Sequence, residues 1–191
     1  MGADAATELI LIRHAPALTG GRLCGRTDVP ADCSDTTRIA ALRAAIGAPG
    51  RIVTSPALRC RQTAAALWPA TTPEADPALW EQDFGVWDGM AAGGIPDLGP
   101  LSPDDLVRHR PPEGESFADL CARTLPALTR LADGGRVTIV AHAGTVRAAL
   151  ALALGAVPPA LAFEVAPLSL TQLRAAPGAG WSIGAVNWGP A

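Results

Sequence analysis

Two short runs of branched apolar residues, Leu-Ile-Leu-Ile at 9–12 and Val-Thr-Ile-Val-Ala at 137–141, constrain the fold more than anything else in the chain. A strand that is apolar on both faces needs helices over both faces, which is the environment of a parallel sheet. Both runs lead into a histidine, through Arg13 to His14 in the first case and directly to His142 in the second. Ligands of open α/β sheets bind beyond the carboxyl ends of the strands, so two imidazoles distant in sequence are placed to converge.

The segments between these runs fit the same architecture. A strand over 8–13 enters a loop. Residues 34–46 then carry Ile39, Leu42 and Ile46 at helical spacing, with Ser34 as cap and Gly47 as stop. A second strand follows at 51–54. Ser55-Pro56 reads as an N-cap with proline in the first turn, opening a helix from 57 to 67. Residues 71–112, rich in Pro, Gly and Asp, form a long excursion with one short helix at 104–109, and such segments often serve function. A helix over 116–131 stops at Asp133-Gly134-Gly135, the strand at 137–141 feeds a helix at 144–154, and alternating segments at 168–173 and 181–188 suggest a hairpin around Pro177-Gly178. This β-loop-α-β-α rhythm predicts a three-layer α/β/α sandwich with a mostly parallel central sheet, one domain over 1–191 with 71–112 on the substrate side.

Composition removes several functional classes. The 191 residues are 49% hydrophobic and 17% charged, enough for a real core. All 15 basic residues are arginine and tyrosine is absent, which excludes a P-loop lysine, a Schiff base and a tyrosine nucleophile. A net charge of −3 gives no general attraction for nucleic acid. The four cysteines show neither a C-x-x-C pair nor clustering with histidine, so neither a metal site nor a disulfide scaffold is expected. No targeting segment or membrane span is evident, and the expected setting is the cytoplasm.

Candidate chemistry gathers around the two strand-end histidines. Taken alone, each is more often a hydrogen-bonded loop residue. Arg13 beside His14, and Arg59 one turn into a helix, add planar forks suited to a phosphate, and positive neighbours keep an imidazole neutral. Arg59, Arg61 and Arg147 also read as surface charges, a reading preferred for Arg61. Glu81 lies in an aromatic patch with Trp80, Phe84 and Trp87. Apolar surroundings favour a protonated carboxyl, which makes Glu81 a candidate general acid. His109, within Arg108-His109-Arg110, reads as a solvated residue.

Six segments in order, Leu11-Ile-Arg13-His14, Gly25-Arg-Thr-Asp28, the stretch from Thr54 to Ala64 containing Arg59, Glu81 to Gly89, Gly114-Glu-Ser116 and Ala141 to Arg147, resemble the histidine phosphatase superfamily, the phosphoglycerate mutase-like fold. The segments from Leu23 to Pro30 and from Pro112 to Ser116 look like its alpha-ribazole phosphatase branch. The resemblance implies that His14 accepts the phosphoryl group, that Arg13, Arg59 and His142 bind it, and that Glu81 protonates the leaving alcohol. By the same likeness Thr19, Cys24, Gly25 and Ala143 fall on the substrate-binding side. The chain departs from the family pattern at Ala15 and Ala143, and Pro16, Ala17 and Leu18 occupy the stretch of a usual polar contact, for which Thr19 is the available substitute.

The expected activity is a metal-independent, cofactor-free phosphomonoesterase working on a small phosphorylated metabolite, with alpha-ribazole 5'-phosphate first among candidates. The alternatives are a phosphoglycerate-type mutase, whose relatives look longer, and a catalytically silent phosphate-ester binder. Neither nucleic acid nor membrane is an expected partner, and the state is monomer or homodimer, the latter if the 181–188 strand pairs across an interface.

Overall fold

The computed structural model describes residues 6–176 and 178–190. Its centre is a six-stranded sheet in the order β3-β2-β4-β1-β5-β6, formed by β1 (Thr7–Arg13), β2 (Arg51–Thr54), β3 (Glu74–Ala75), β4 (Gly135–Ala141), β5 (Leu170–Ala176) and β6 (Gly180–Trp188). The pairs β1·β4, β2·β4 and β2·β3 are parallel, whereas β5 runs antiparallel to both β1 and β6. Around it lie α1 (Thr36–Ile46), α2 (Leu58–Leu67), α3 (Pro103–Arg108), α4 (Phe117–Leu131) and α5 (Ala143–Leu154).

The apolar run of β1 explains the layering. Leu9 and Leu11 join a core with Leu128 of α4 and Val146 and Leu150 of α5, while Ile10 and Ile12 join another with Ile39 and Leu42 of α1 and Cys60 and Leu67 of α2. Alternate side chains of one strand therefore feed two cores, one on each face. The architecture is the expected three-layer sandwich. No helix among the described residues is long and apolar enough to cross a membrane.

The register of the two central strands positions the site. β4 lies directly beside β1, Arg13 stands opposite Ala141, and the His14 N–H donates to the Ala141 carbonyl at 2.9 Å. Both strands thus end at the same level, and the histidines that follow them become neighbours.

Several local expectations need correction. Asp35, not Ser34, caps α1, its side chain accepting from the Arg38 N–H. α2 begins at Leu58 with Ala57 at the cap position and no side-chain cap of its own; instead Asp28 reaches across to accept the Leu58 N–H at 2.6 Å. This frees Ser55 to face His142. α3 spans Pro103–Arg108, capped by Ser102 with proline in its first turn, so His109 follows the helix. Gly135 starts β4 instead of ending the preceding turn, α5 starts one residue earlier than expected, and β5 begins at Leu170 because Leu168 adopts a positive φ of 55°. The two-residue strand β3 has no periodic signal and was not anticipated. β5 and β6 do form a hairpin, but Pro177 lies outside the described residues.

Candidate active site

Strand ends and helix starts together shape a cleft of about 490 Å³ at the carboxyl edge of the sheet, lined among others by Arg13, His14, Arg59, Glu81, Ala143 and Arg147. His14 is nearly buried, and its Nδ1–H donates to the Ala15 carbonyl at 2.7 Å. Because a carbonyl can only accept, this bond fixes the tautomer and leaves the lone pair on Nε2. Burial pushes the His14 imidazole down to about 3, with Arg59 and Arg13 adding to the effect against the opposing pull of the Ala15 carbonyl. His14 is therefore a neutral base at pH 7.

The His142 ring lies edge-on to His14, with centroids 5.2 Å apart. It is fully buried, and Nε2 meets Ser55 Oγ at 2.8 Å while the Cys60 sulfur lies 3.5 Å from the same nitrogen. Trp80 stacks nearly parallel to it at 6.4 Å. Burial, then Arg59, pushes His142 well below the usual histidine range. It forms the cap residue of α5, so the helix N-terminus with its positive partial charge opens onto the cleft behind Ala143 and Gly144.

Arg59 is 1% exposed and receives no carboxylate. Its Nη1 and Nη2 donate to the carbonyls of Thr27 and Gly25 at 3.0 and 2.7 Å. These carbonyls are presented by a tight loop whose three successive N–H groups, on Gly25, Arg26 and Thr27, all donate to the Asp88 carboxylate at 2.7–3.0 Å. A Cβ at position 25 would fall 2.0 Å from the Gln82 carbonyl, so only glycine fits. Thr63 closes this arrangement, accepting from the Ala15 N–H and donating to the Arg59 carbonyl. Arg13 donates through Nη1 to the Val165 carbonyl at 2.5 Å, and its buried Nε has no partner among the described residues.

Glu81 faces the N-terminus of α5. Its Oε2 accepts from the Gly144 N–H at 3.3 Å and its Oε1 from the Gln82 N–H at 3.0 Å. Behind it stands Arg123 of α4, which donates to the carbonyls of Ala78, Trp80 and Glu81 and holds Glu115 through a bidentate pair at 2.9 Å. Burial alone would raise the Glu115 carboxyl, yet bonds from Arg123 and the Asp83 N–H hold it below the ordinary value. The backbone leading to Glu81 is thus pinned from the neighbouring helix.

Of the residues singled out from sequence, Arg13, His14, Thr19, Cys24, Arg59, Glu81 and Ala143 line the cleft. His142 stands directly behind His14, and Gly25 serves as a carbonyl seat for Arg59 away from the lining. Burial pushes the Cys24 thiol up, and its Sγ donates to the Thr27 carbonyl at 3.0 Å. Arg147, left open as a surface charge, lines the cleft and donates through Nε to Phe163. Sequence reasoning missed Asp88, Arg123 and Gly144. The glycine had a legible signal, since a glycine in the first turn of a helix loses stability relative to alanine unless something needs the space. The other two had none, because the groups they hold at the site are backbone N–H groups and carbonyls of distant loops.

Comparison with known proteins agrees with this geometry. The model of the histidine phosphatase superfamily (branch 1) matches residues 9–189. The chain belongs to that superfamily. The chain is 33% identical over 105 residues to a Caenorhabditis elegans 6-phosphofructo-2-kinase/fructose-2,6-bisphosphatase, a match covering 53% of the chain but only 23% of that much longer protein. Among solved structures, a mycobacterial glucosyl-3-phosphoglycerate phosphatase aligns with a TM-score of 0.81 at 26% identity, covering 95% of this chain and 99% of that one. The alpha-ribazole phosphatase of Shigella flexneri shares the fold, with a TM-score of 0.79 at 19% identity over 95% and 96% of the two chains.

Proposed function

We propose that the protein is a metal-independent phosphomonoesterase that works through a phosphohistidine on a small phosphorylated metabolite. One observation carries the reading. No acid pairs with Arg13, Arg59 or Arg147 among the described residues, although most arginines elsewhere, Arg51, Arg123 and Arg136 among them, form ion pairs. Burying guanidinium groups against carbonyls alone is costly unless an anion completes the site. A phosphoryl group beside His14 would do so.

The reaction then runs in two displacements. The His14 Nε2 lone pair attacks phosphorus in line, the P–O ester bond breaks, and Glu81 in its acid form gives its proton to the departing alkoxide. Arg13, Arg59 and the α5 N-terminus receive the charge on the equatorial oxygens, with the His142–Ser55 pair buried behind His14. In the second step a water oxygen attacks phosphorus, the P–N bond breaks, Glu81 takes the water's proton, and His14 returns neutral with inorganic phosphate as product.

For the substrate, alpha-ribazole 5'-phosphate remains the first candidate, supported by the likeness of the segments from Leu23 to Pro30 and from Pro112 to Ser116. Glucosyl-3-phosphoglycerate is the second, on the strength of the mycobacterial structure. The test is phosphate release in the presence of a chelator over these two esters, with parallel quenching for an acid-labile phosphoprotein. Undiminished release by His14→Ala, or tight phosphate binding with no turnover by the wild type, would overturn the proposal.

A further inference from the structure

Next to the cleft opens a second hollow, a groove of about 290 Å³ whose lining includes Phe84, Trp87, Ile95, Leu98, His109 and Phe117. It is continuous with the first, because Leu23, Gln82, Phe84, Phe117 and Leu161 line both. No charged residue type contributes to it, and beside the indole N–H of Trp87 its polar side chains are Gln82 and His109. Gln82 is already engaged, donating to the Glu115 carbonyl at 2.6 Å. His109 is different. Its ring stacks on Trp87 with centroids 5.4 Å apart, and its Nε2 is buried with no hydrogen-bond partner among the described residues. The solvated reading of this residue is thereby corrected: the chain leaves α3 at Arg108 and turns the imidazole onto an aromatic face.

We propose that this groove receives the body of the leaving alcohol, a planar apolar group carrying one hydrogen-bonding atom that His109 reads. The proposal rests on the phosphatase reading and narrows it. If Glu81 protonates the leaving oxygen, that oxygen lies beside Glu81, and the groove starts at the very next residue, Gln82. A leaving group departing on this side has the groove in front of it. Phe84, Trp87 and Phe117 offer aromatic surfaces that favour a flat ring, and a body that gives the unmet nitrogen of His109 a hydrogen-bond partner gains over one that leaves it as it stands. A carboxylate or second phosphate in the groove would be buried with no arginine in the lining to pair with it.

Three alkyl esters with matched leaving-group chemistry test this: ethyl phosphate, 2-naphthylethyl phosphate and 3-phosphoglycerate. The expected kcat/KM for the naphthylethyl ester exceeds that for ethyl phosphate by about 100-fold, from the apolar surface it removes from water. Leu98→Trp and Leu106→Trp, at two residues that line the groove and not the cleft, reduce that ratio to a few-fold while ethyl phosphate turnover stays at the wild-type level. For His109, replacing the naphthyl group by quinolinyl, an acceptor, or indolyl, a donor, raises kcat/KM about 10-fold for one of the two, and His109→Leu abolishes that discrimination while keeping the preference over ethyl. Ethyl phosphate turned over with no gain from the naphthyl group, or 3-phosphoglycerate preferred, overturns the groove assignment alone. Equal rates for all three aryl bodies overturn the role of His109. If no ester yields phosphate or an acid-labile phosphoprotein, the phosphatase reading itself fails and this one with it.

Discussion

Gly144→Ala separates chemistry from stability. At the second position of α5, where φ is not positive, alanine would ordinarily stabilise the helix by about 0.5–1 kcal/mol. Here, however, the added Cβ would meet Glu81 Oε1 at 2.2 Å and Leu120 Cδ1 at 2.7 Å, against 3.4 Å for ordinary contact. The carboxylate is the freer of the two neighbours and must retreat by about 1 Å, a misplacement that costs on the order of 100-fold in rate. The variant should melt within a few degrees of wild type yet lose about 100-fold in kcat on alkyl phosphates, whose alkoxides need the proton. On p-nitrophenyl phosphate, whose leaving group needs little protonation, a burst of nitrophenol should survive in rapid mixing. Steady turnover then slows, because the displaced Glu81 no longer activates water, and acid-labile phosphoprotein accumulates. An alanine variant with undiminished alkyl phosphate turnover would refute the role given to Glu81.

Other perturbations follow from the same contacts. Asp88→Ala strips the acceptor from three N–H groups of the loop that seats Arg59; the inhibition constant of inorganic phosphate should rise about 10-fold, with roughly 2 kcal/mol lost in urea unfolding. Arg123→Met removes the tether on the Ala78, Trp80 and Glu81 carbonyls. Steady-state kinetics should show kcat falling more than KM changes, since this positioning residue acts through Glu81 and not on bound substrate. Stability should decline as the pH falls below about 6.5, through the buried histidines. His14 has its pKa lowered from 6.5 to about 3 on folding, so between those values the unfolded chain binds the extra proton and stability falls as pH falls. The slope reaches at most about 1.4 kcal/mol per pH unit for each such histidine. His142 is shifted the same way. Urea midpoints from pH 6.5 to 5 should therefore slope less steeply in His14→Gln, and an unchanged slope would count against a buried neutral imidazole.

What could be read from the chain was the part written in local pattern. The apolar runs of β1 and β4 determine which strands are central, and a histidine after each of two adjacent strands has one place to go. Helix ends were less legible where the cap comes from outside. Ser55-Pro56 carries every local mark of an N-cap, yet Asp28 supplies the cap and Ser55 turns to His142. That exchange explains in physical terms why Asp28 closes the Gly25-Arg-Thr-Asp28 segment: Gly25 and Thr27 lend carbonyls to Arg59 while Asp28 ties the same loop to the start of its helix. No periodicity can reveal such a loop, because its information lies in backbone groups that every residue possesses.

His109 shows the same limit from the opposite side. Its two arginine neighbours and its polar surroundings in sequence are genuine, but burial is decided by Trp87, which reaches it only after the excursion has folded back. The arginines divide in a comparable way. In sequence, Arg59, Arg61 and Arg147 all allow a surface-charge reading, with Arg59 singled out for a phosphate and Arg61 assigned to the surface. In the structure Arg61 is exposed, Arg59 is enclosed by carbonyls, and Arg147 turns its guanidinium to the cleft. An enclosed cation that meets carbonyls instead of carboxylates marks a charge the chain itself does not neutralise, and this makes the missing partner an anion from outside. The identity of that partner then depends less on the cradle, which any phosphate ester satisfies, than on the uncharged groove beyond Gln82, where the rest of the molecule must fit.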